Sequence, residues 1–243
     1  MAETIGIHGH DGDLIEAYLA RPLGAGPYPG VLVFHHAPGW DEWCMEATRG
    51  FAHHGYIAIC PNLHHRAGPG SPDDMAVGVR ERGGVPDEQC MGDGQGAVDY
   101  VRTMPAHNGK VGVIGFCSGG RQTFIAAAEL QGIDAAVDCW GGRVAVPEEE
   151  RGGRGQALDL TPKIHVPLLG IFGNDDANPA PDQVDRIEAE LKAHNKTYEF
   201  HRYDGAGHGF FATGRPGYRA LQAADGWKKV FAWFEKYLEP AQG

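Results

Sequence analysis

The sequence predicts an α/β protein: a mainly parallel sheet flanked by helices, with an antiparallel hairpin at its N-terminal edge. Three observations carry this. Short apolar runs (30–36, 56–60, 110–114, 133–139, 166–172) alternate with helix-length segments (41–54, 86–104, 121–130, 181–194). Such alternation implies βαβ units and parallel pairing. The central runs are continuously apolar instead of alternating, as expected for strands covered on both faces. Finally, Val111–Gly120 passes from a β-branched run, through glycines, into an Ala-rich segment free of Gly and Pro.

In chain order, Thr4–His8 and Leu14–Ala20 read as two strands joined by the turn His10-Asp-Gly-Asp13. A Gly/Pro connection, residues 21–29, leads into the strand Gly30–His36. Asp41–His54 has a helical pattern ended by Gly55, and Tyr56–Cys60 is a strand stopped by Pro61. Residues 62–87 read as a long excursion with one short helix near Asp73–Arg80. Pro86–Met104 restarts a helix with Asp87 as its N-cap. Lys110–Ile114 is a strand, Arg121–Leu130 a helix and Ile133–Cys139 a strand. Residues 141–161, rich in Gly and Glu, read as loop. Val166–Phe172 and Thr197–Tyr203 are strands around the helix Pro181–His194, and Tyr218–Leu238 is a long closing helix. No internal repeat, low-complexity tract or linker divides residues 1–243, so a single domain is expected.

The 243 residues suffice for one α/β domain with a large core. A formal net charge of -11 argues against nucleic acid and anionic membranes as partners, and would leave an anionic substrate in need of local cations. No apolar run approaches a membrane span, and Met-Ala-Glu-Thr-Ile-Gly lacks the features of a signal peptide. The five cysteines (44, 60, 90, 117 and 139) are scattered without C-x-x-C spacing. They suit free thiols and a cytoplasmic location. Oligomeric state is not encoded in any of these features.

The stretch Gly115-Phe-Cys-Ser-Gly119 places a nucleophile between strand and helix, in the G-x-S-x-G elbow pattern with Cys in place of Ser. The following helix points its positive end at Cys117, which favours thiolate. The stretch has neither a P-loop Lys-Ser/Thr nor dinucleotide-fingerprint spacing. A Cys nucleophile needs a base, and the base a carboxylate. In parallel sheets chemistry sits at the carboxyl ends of strands. Two such ends supply the partners: Gly-Asn-Asp-Asp (173–176) and Gly-Ala-Gly-His-Gly-Phe (205–210). His208, set among glycines, is the candidate base. For the acid, strand register favours Asp176, whereas counting back from Pro179 favours Asp175; Asp176 is preferred. The order nucleophile, acid, base is that of the α/β-hydrolase arrangement.

With these three motifs, together with Cys-Pro-Asn-Leu (60–63) and Gly-Lys-Val-Gly-Val-Ile-Gly (109–115), the chain resembles the dienelactone hydrolase family, carboxymethylenebutenolidase-like α/β-hydrolases. The resemblance spans nearly the whole chain. It implies the α/β-hydrolase fold, a triad of Cys117, Asp176 and His208, hydrolysis of a small ester or lactone through a thioester, and no metal or organic cofactor. Backbone N–H groups of Ser118 and Ala37 are the expected oxyanion donors. Readings that compete on the same residues are a thioesterase, a carbon–carbon bond hydrolase and a non-catalytic ligand-binding relative.

Two positions depart from the family pattern. His36 stands where relatives carry a Glu that interacts with the nucleophile, so Cys117 is expected to be more fully ionised here. Ala212 stands four residues beyond His208, where relatives that grip a substrate carboxylate carry Arg; Arg80, Arg82 or Arg215 are the alternatives. Trp40, Trp43, Trp140 and Phe210 are candidates to wall a pocket, or else core. The pairs His53/His54 and His64/His65 are not expected to bind metal, because adjacent helical residues point apart.

Overall fold

The computed structural model describes residues 1–147 and 156–239. An eight-stranded sheet has the order β1-β2-β4-β3-β5-β6-β7-β8. Its strands are β1 (Ala2–His8), β2 (Leu14–Ala20), β3 (Tyr28–Phe34), β4 (Ile57–Pro61), β5 (His107–Phe116), β6 (Ala135–Cys139), β7 (Leu168–Gly173) and β8 (Tyr198–Tyr203). β1 and β2 pair antiparallel as an edge hairpin, β2 joins β4 antiparallel, and all other pairings are parallel. The helices are α1 (Glu42–His53), α2 (Pro72–Glu81), α3 (Asp87–Arg102), α4 (Ser118–Glu129), α5 (Pro181–Ala193) and α6 (Ala220–Leu238).

The continuous apolar runs are explained by burial on both faces. In β3, Val31 and Val33 join one core layer with Ala47 and Phe51 of α1 and Val230 and Phe234 of α6. The alternate residues Leu32 and Phe34 join the other, with Val98 of α3, Phe124 of α4 and Ile187 of α5. Each of these side chains is 8% exposed or less. Burying one such side chain contributes about 1.5–3 kcal/mol. Arg66 ties the hairpin side to α3 through two hydrogen bonds to the fully buried Asp93, at 2.8 and 3.0 Å.

Several boundaries differ from the sequence expectations, four of them with a physical reason. β3 begins at Tyr28, where the N–H donates to Ala106 O. Pro61 belongs to β4 and pairs with Ala17, which its missing N–H permits at a strand end. Asp87 is the first helical residue of α3, not its cap; Pro86 is the cap, and the Asp87 carboxylate instead binds Arg121 and Gln122 of α4. Ala157–Lys163 forms a 3-10 turn within the expected loop, while residues 148–155 of that loop lie outside the described residues.

On either side of β3 the chain runs outward in opposite directions, through β4 and through β5. Such a reversal opens a crevice at the carboxyl ends of the two strands. The residues that end β3 and β5 are therefore the ones that face it.

Candidate active site

Cys117 follows β5 and caps α4 with φ 58°, ψ -117°, a conformation that non-glycine residues rarely adopt. Tight packing holds it there. A Cβ on Gly115 would lie 2.0 Å from Gly119 O, and one on Gly119 would lie 2.2 Å from Phe34 O. Both glycines are thus required for α4 to close on β5 and β3. Cys117 is left partly exposed at the tip of this strained turn.

The loop after β8 brings His208 close enough to Cys117 for each side chain to shift the ionisation of the other. His208 Nδ1 lies 2.8 Å from Asp176 Oδ2, and the Asp176 side chain is 2% exposed. Asp176 Oδ1 accepts the Asn178 N–H at 2.8 Å. Asp175 is exposed and its carboxylate does not reach His208; its N–H donates to Ala206 O. Backbone N–H groups of Ala37 and Ser118 lie near enough to the Cys117 sulfur to lower its thiol, at the place where a pair of oxyanion donors is expected.

Burial pushes the Cys117 thiol up, but it is outweighed by the hydrogen bond and charge of His208 and by the two backbone N–H groups. The thiol lies below its ordinary value. Burial likewise opposes charge on His208, but Asp176 and Cys117 outweigh it and hold the imidazole well above its ordinary value. Both directions favour charge on the pair, thiolate on Cys117 and imidazolium on His208. The four remaining thiols are buried, with burial pushing each up: Cys60 to about 12, and Cys44, Cys90 and Cys139 well above their ordinary value.

His36 has a carboxylate partner of its own beside the site. Its Nε2 is 2.7 Å from Asp41 Oδ2, and its ring packs on Trp43. Asp41 also caps α1 by accepting the Cys44 N–H. The causes that lower the Cys117 thiol are led by His208, followed by Ala37 and Ser118. Among the described residues His36, Asp41 and Cys44 are the one His/Cys/Asp group within 4.8 Å, and the first two are already hydrogen bonded to each other. The paired histidines are dispersed: His54 stacks on Phe231 and His64 packs on His35.

Trp40, Trp140 and Phe210 are core rather than pocket wall, each 8% exposed or less. Trp140 and Phe210 pack on each other and on Phe211. Trp43 alone of the four lines an open groove, one of about 500 Å³ between α1 and α6.

A cavity of about 960 Å³ is lined in part by Ala37 and Ser118, the expected oxyanion donors. Arg80, Arg82 and Arg143 line it, with His64 and Gln122. The sequence reading missed Arg143. It sits in the loop after β6 with φ 61°, an unusual conformation at a strand end. A cationic residue at that strand end was the available signal.

A mainly parallel sheet with Cys117 at the turn after β5, Asp176 after β7 and His208 after β8 has the layout of an α/β-hydrolase. The comparisons agree with this class and narrow it. The model of the dienelactone hydrolase family matches residues 15–238, and the chain belongs to that family. A carboxymethylenebutenolidase of Pseudomonas putida is 31% identical over 231 residues, covering 92% of each chain. A Methylorubrum extorquens protein named "Putative carboxymethylenebutenolidase" is 35% identical over 227 residues, 92% of this chain and 77% of its own. The crystal structure of a Klebsiella pneumoniae protein titled "Putative Dienelactone Hydrolase" superposes with a TM-score of 0.88 at 32% identity, covering 98% of this chain and 99% of that one. The chain is accordingly a lactone or ester hydrolase. No helix among the described residues is long and apolar enough to cross a membrane.

Proposed function

We propose that the protein hydrolyses a small lactone or ester through a Cys117–His208–Asp176 triad and a thioester intermediate. The observation that carries this reading is the continuous chain of contacts from Asp176 through His208 to Cys117, whose sulfur also faces two backbone donors. The thiolate attacks the carbonyl carbon, and the N–H groups of Ala37 and Ser118 stabilise the oxyanion. As the C–O bond breaks, protonated His208 gives its proton to the leaving oxygen. Neutral His208 then takes a proton from water, which attacks the thioester and returns Cys117 as the leaving thiolate. Asp176 keeps the imidazole oriented and steadies its charge.

Thiolate is itself a good leaving group, so a strained or conjugated acyl group suits this site. The arginines of the adjoining cavity support a substrate with an acidic group, held from α2 and the β6 loop instead of from position 212. The test is Cys117→Ala with p-nitrophenyl acetate and an unsaturated carboxylated lactone. Turnover is expected to vanish while the melting temperature stays near that of the parent. Turnover at the parent rate would remove Cys117 from the mechanism.

A further inference from the structure

The last turn of β6 contains a carboxyl group that the triad does not use. Asp138, one residue before the end of the strand, is 1% exposed. Gly115 of β5 and Gly170 of β7 flank it in register. The first turn of α4 lies against it, so that a Cβ on Gly120 would come within 2.5 Å of Asp138 Oδ1. Oδ1 accepts the Gly141 N–H at 2.7 Å. Oδ2 is buried and has no hydrogen-bond partner among the described residues. An apolar side chain would spare the fold the cost of burying this group, so its presence calls for a reason.

The turn that Asp138 closes supplies one. Trp140 has φ 42°, in the left-handed region that a bulky aromatic avoids, and the Asp138–Gly141 bond spans it. This turn touches both halves of the site. On one side, the Cys117 N–H donates to Cys139 O at 3.1 Å. On the other, Gly142 packs so closely on Asn178 that a Cβ there would lie 2.7 Å from Nδ2. Asn178 is the residue whose N–H holds Asp176 Oδ1.

We propose that Asp138 is a positioning residue: it fixes the 139–142 turn, and through it the placement of Cys117 relative to Asp176. The proposal rests on the triad reading. It extends to pH, because burial pushes the Asp138 carboxyl up to about 7. Of the titratable and charged groups on the elements packed around it, Cys139 is adjacent, Cys117 heads α4, Arg121 in the first turn of α4 is committed to Asp87, and Arg143 follows the turn, while His107 and Lys110 lie at the far end of β5 and Glu129 at the far end of α4. The protonated acid still accepts the Gly141 N–H. The ionised form adds a negative charge near the helix N-terminus that has to hold the thiolate and the oxyanion. Activity is therefore expected to fall as pH rises through about 7.

The experiment compares the parent, Asp138→Asn, Asp138→Ala and Cys117→Ala on p-nitrophenyl acetate from pH 5.5 to 9. Asp138→Asn keeps an acceptor for Gly141 without a charge, so its kcat at pH 6 stays within about threefold of the parent. The fall above neutrality disappears in this variant. Asp138→Ala frees the turn, and kcat drops about tenfold or more with little change in KM, as expected when reacting groups are displaced by a fraction of an ångström. A parent and Asp138→Asn with superimposable pH profiles would overturn the proposal, as would Asp138→Ala with the parent kcat. If Asp138→Ala fails to fold, the Asn profile decides alone. Parent-level turnover by Cys117→Ala would instead overturn the triad reading, through a different variant.

Discussion

Replacing Asp176 by Asn probes how the proposed triad uses its two carboxylate oxygens. Oδ1 accepts the Asn178 N–H and Oδ2 accepts from His208 Nδ1–H, both at 2.8 Å. The Asn side chain can keep its carbonyl on Asn178. It then presents an NH₂ donor to Nδ1, which accepts only if the ring's proton moves to Nε2. The imidazole would then turn a proton toward Cys117 and could no longer act as a base. In addition, His208 loses its carboxylate, the first of the causes that raise it, so imidazolium and thiolate are both disfavoured. A wrong-tautomer change of this kind lowers turnover by up to about 10⁴-fold in a serine triad. Because a thiol ionises more readily than a hydroxyl, a loss of about 10²–10³ is expected here, or roughly 2.7–4.1 kcal/mol at 1.36 kcal/mol per decade. Two assays check it. Steady-state hydrolysis of p-nitrophenyl acetate reads kcat. The rate of Cys117 alkylation by iodoacetamide from pH 5 to 10 reads the thiolate, and its midpoint should move up. Turnover within threefold of the parent, with an unmoved alkylation midpoint, would refute the reasoning.

Two further outcomes follow from other groups. Because His36 is engaged with Asp41, His36→Gln should leave the Cys117 alkylation midpoint within about 0.3 pH unit of the parent, whereas His208→Gln should raise it by about one unit or more. An equal shift in both variants would restore His36 as a partner of the sulfur. Burial lowers His35 to about 3 and His64 to about 4, so both fold as neutral imidazoles. Between those values and the unfolded value near 6.5, the unfolded chain binds more protons. Stability should therefore be fully present above about pH 6.5 and fall as pH drops, by up to about 1.4 kcal/mol per unit for each histidine. Urea unfolding at pH 7, 5.5 and 4.5 measures this, and a midpoint constant across that range would contradict it.

Local chemistry made much of this protein legible from its residues. Apolar β-branched runs alternating with helix-length segments gave the strand and helix order, because each signal lies within a short stretch of chain. The Gly115–Gly119 turn marked Cys117, since only glycine tolerates such close approach of α4 to β3 and β5. Glycines around His208 marked a loop able to reach inward.

Contacts between distant segments were a different matter. The spacing of residues left Asp175 and Asp176 both open, and the turn of the β7 loop decided which faces His208. His36 matched a position known from relatives, yet its partner is Asp41, set by where α1 begins. Trp140 and Phe210 lie at strand ends but fold inward, because the packing of α6 on the sheet closes over them. Asp138 read only as part of a strand, and the glycines that enclose it come from three other elements. Sequence by itself determined the elements and the reactive side chains, since backbone preference and apolar period act over a few residues. Tertiary structure alone decided which groups are paired, buried or charged, because those properties depend on atoms far apart in the chain.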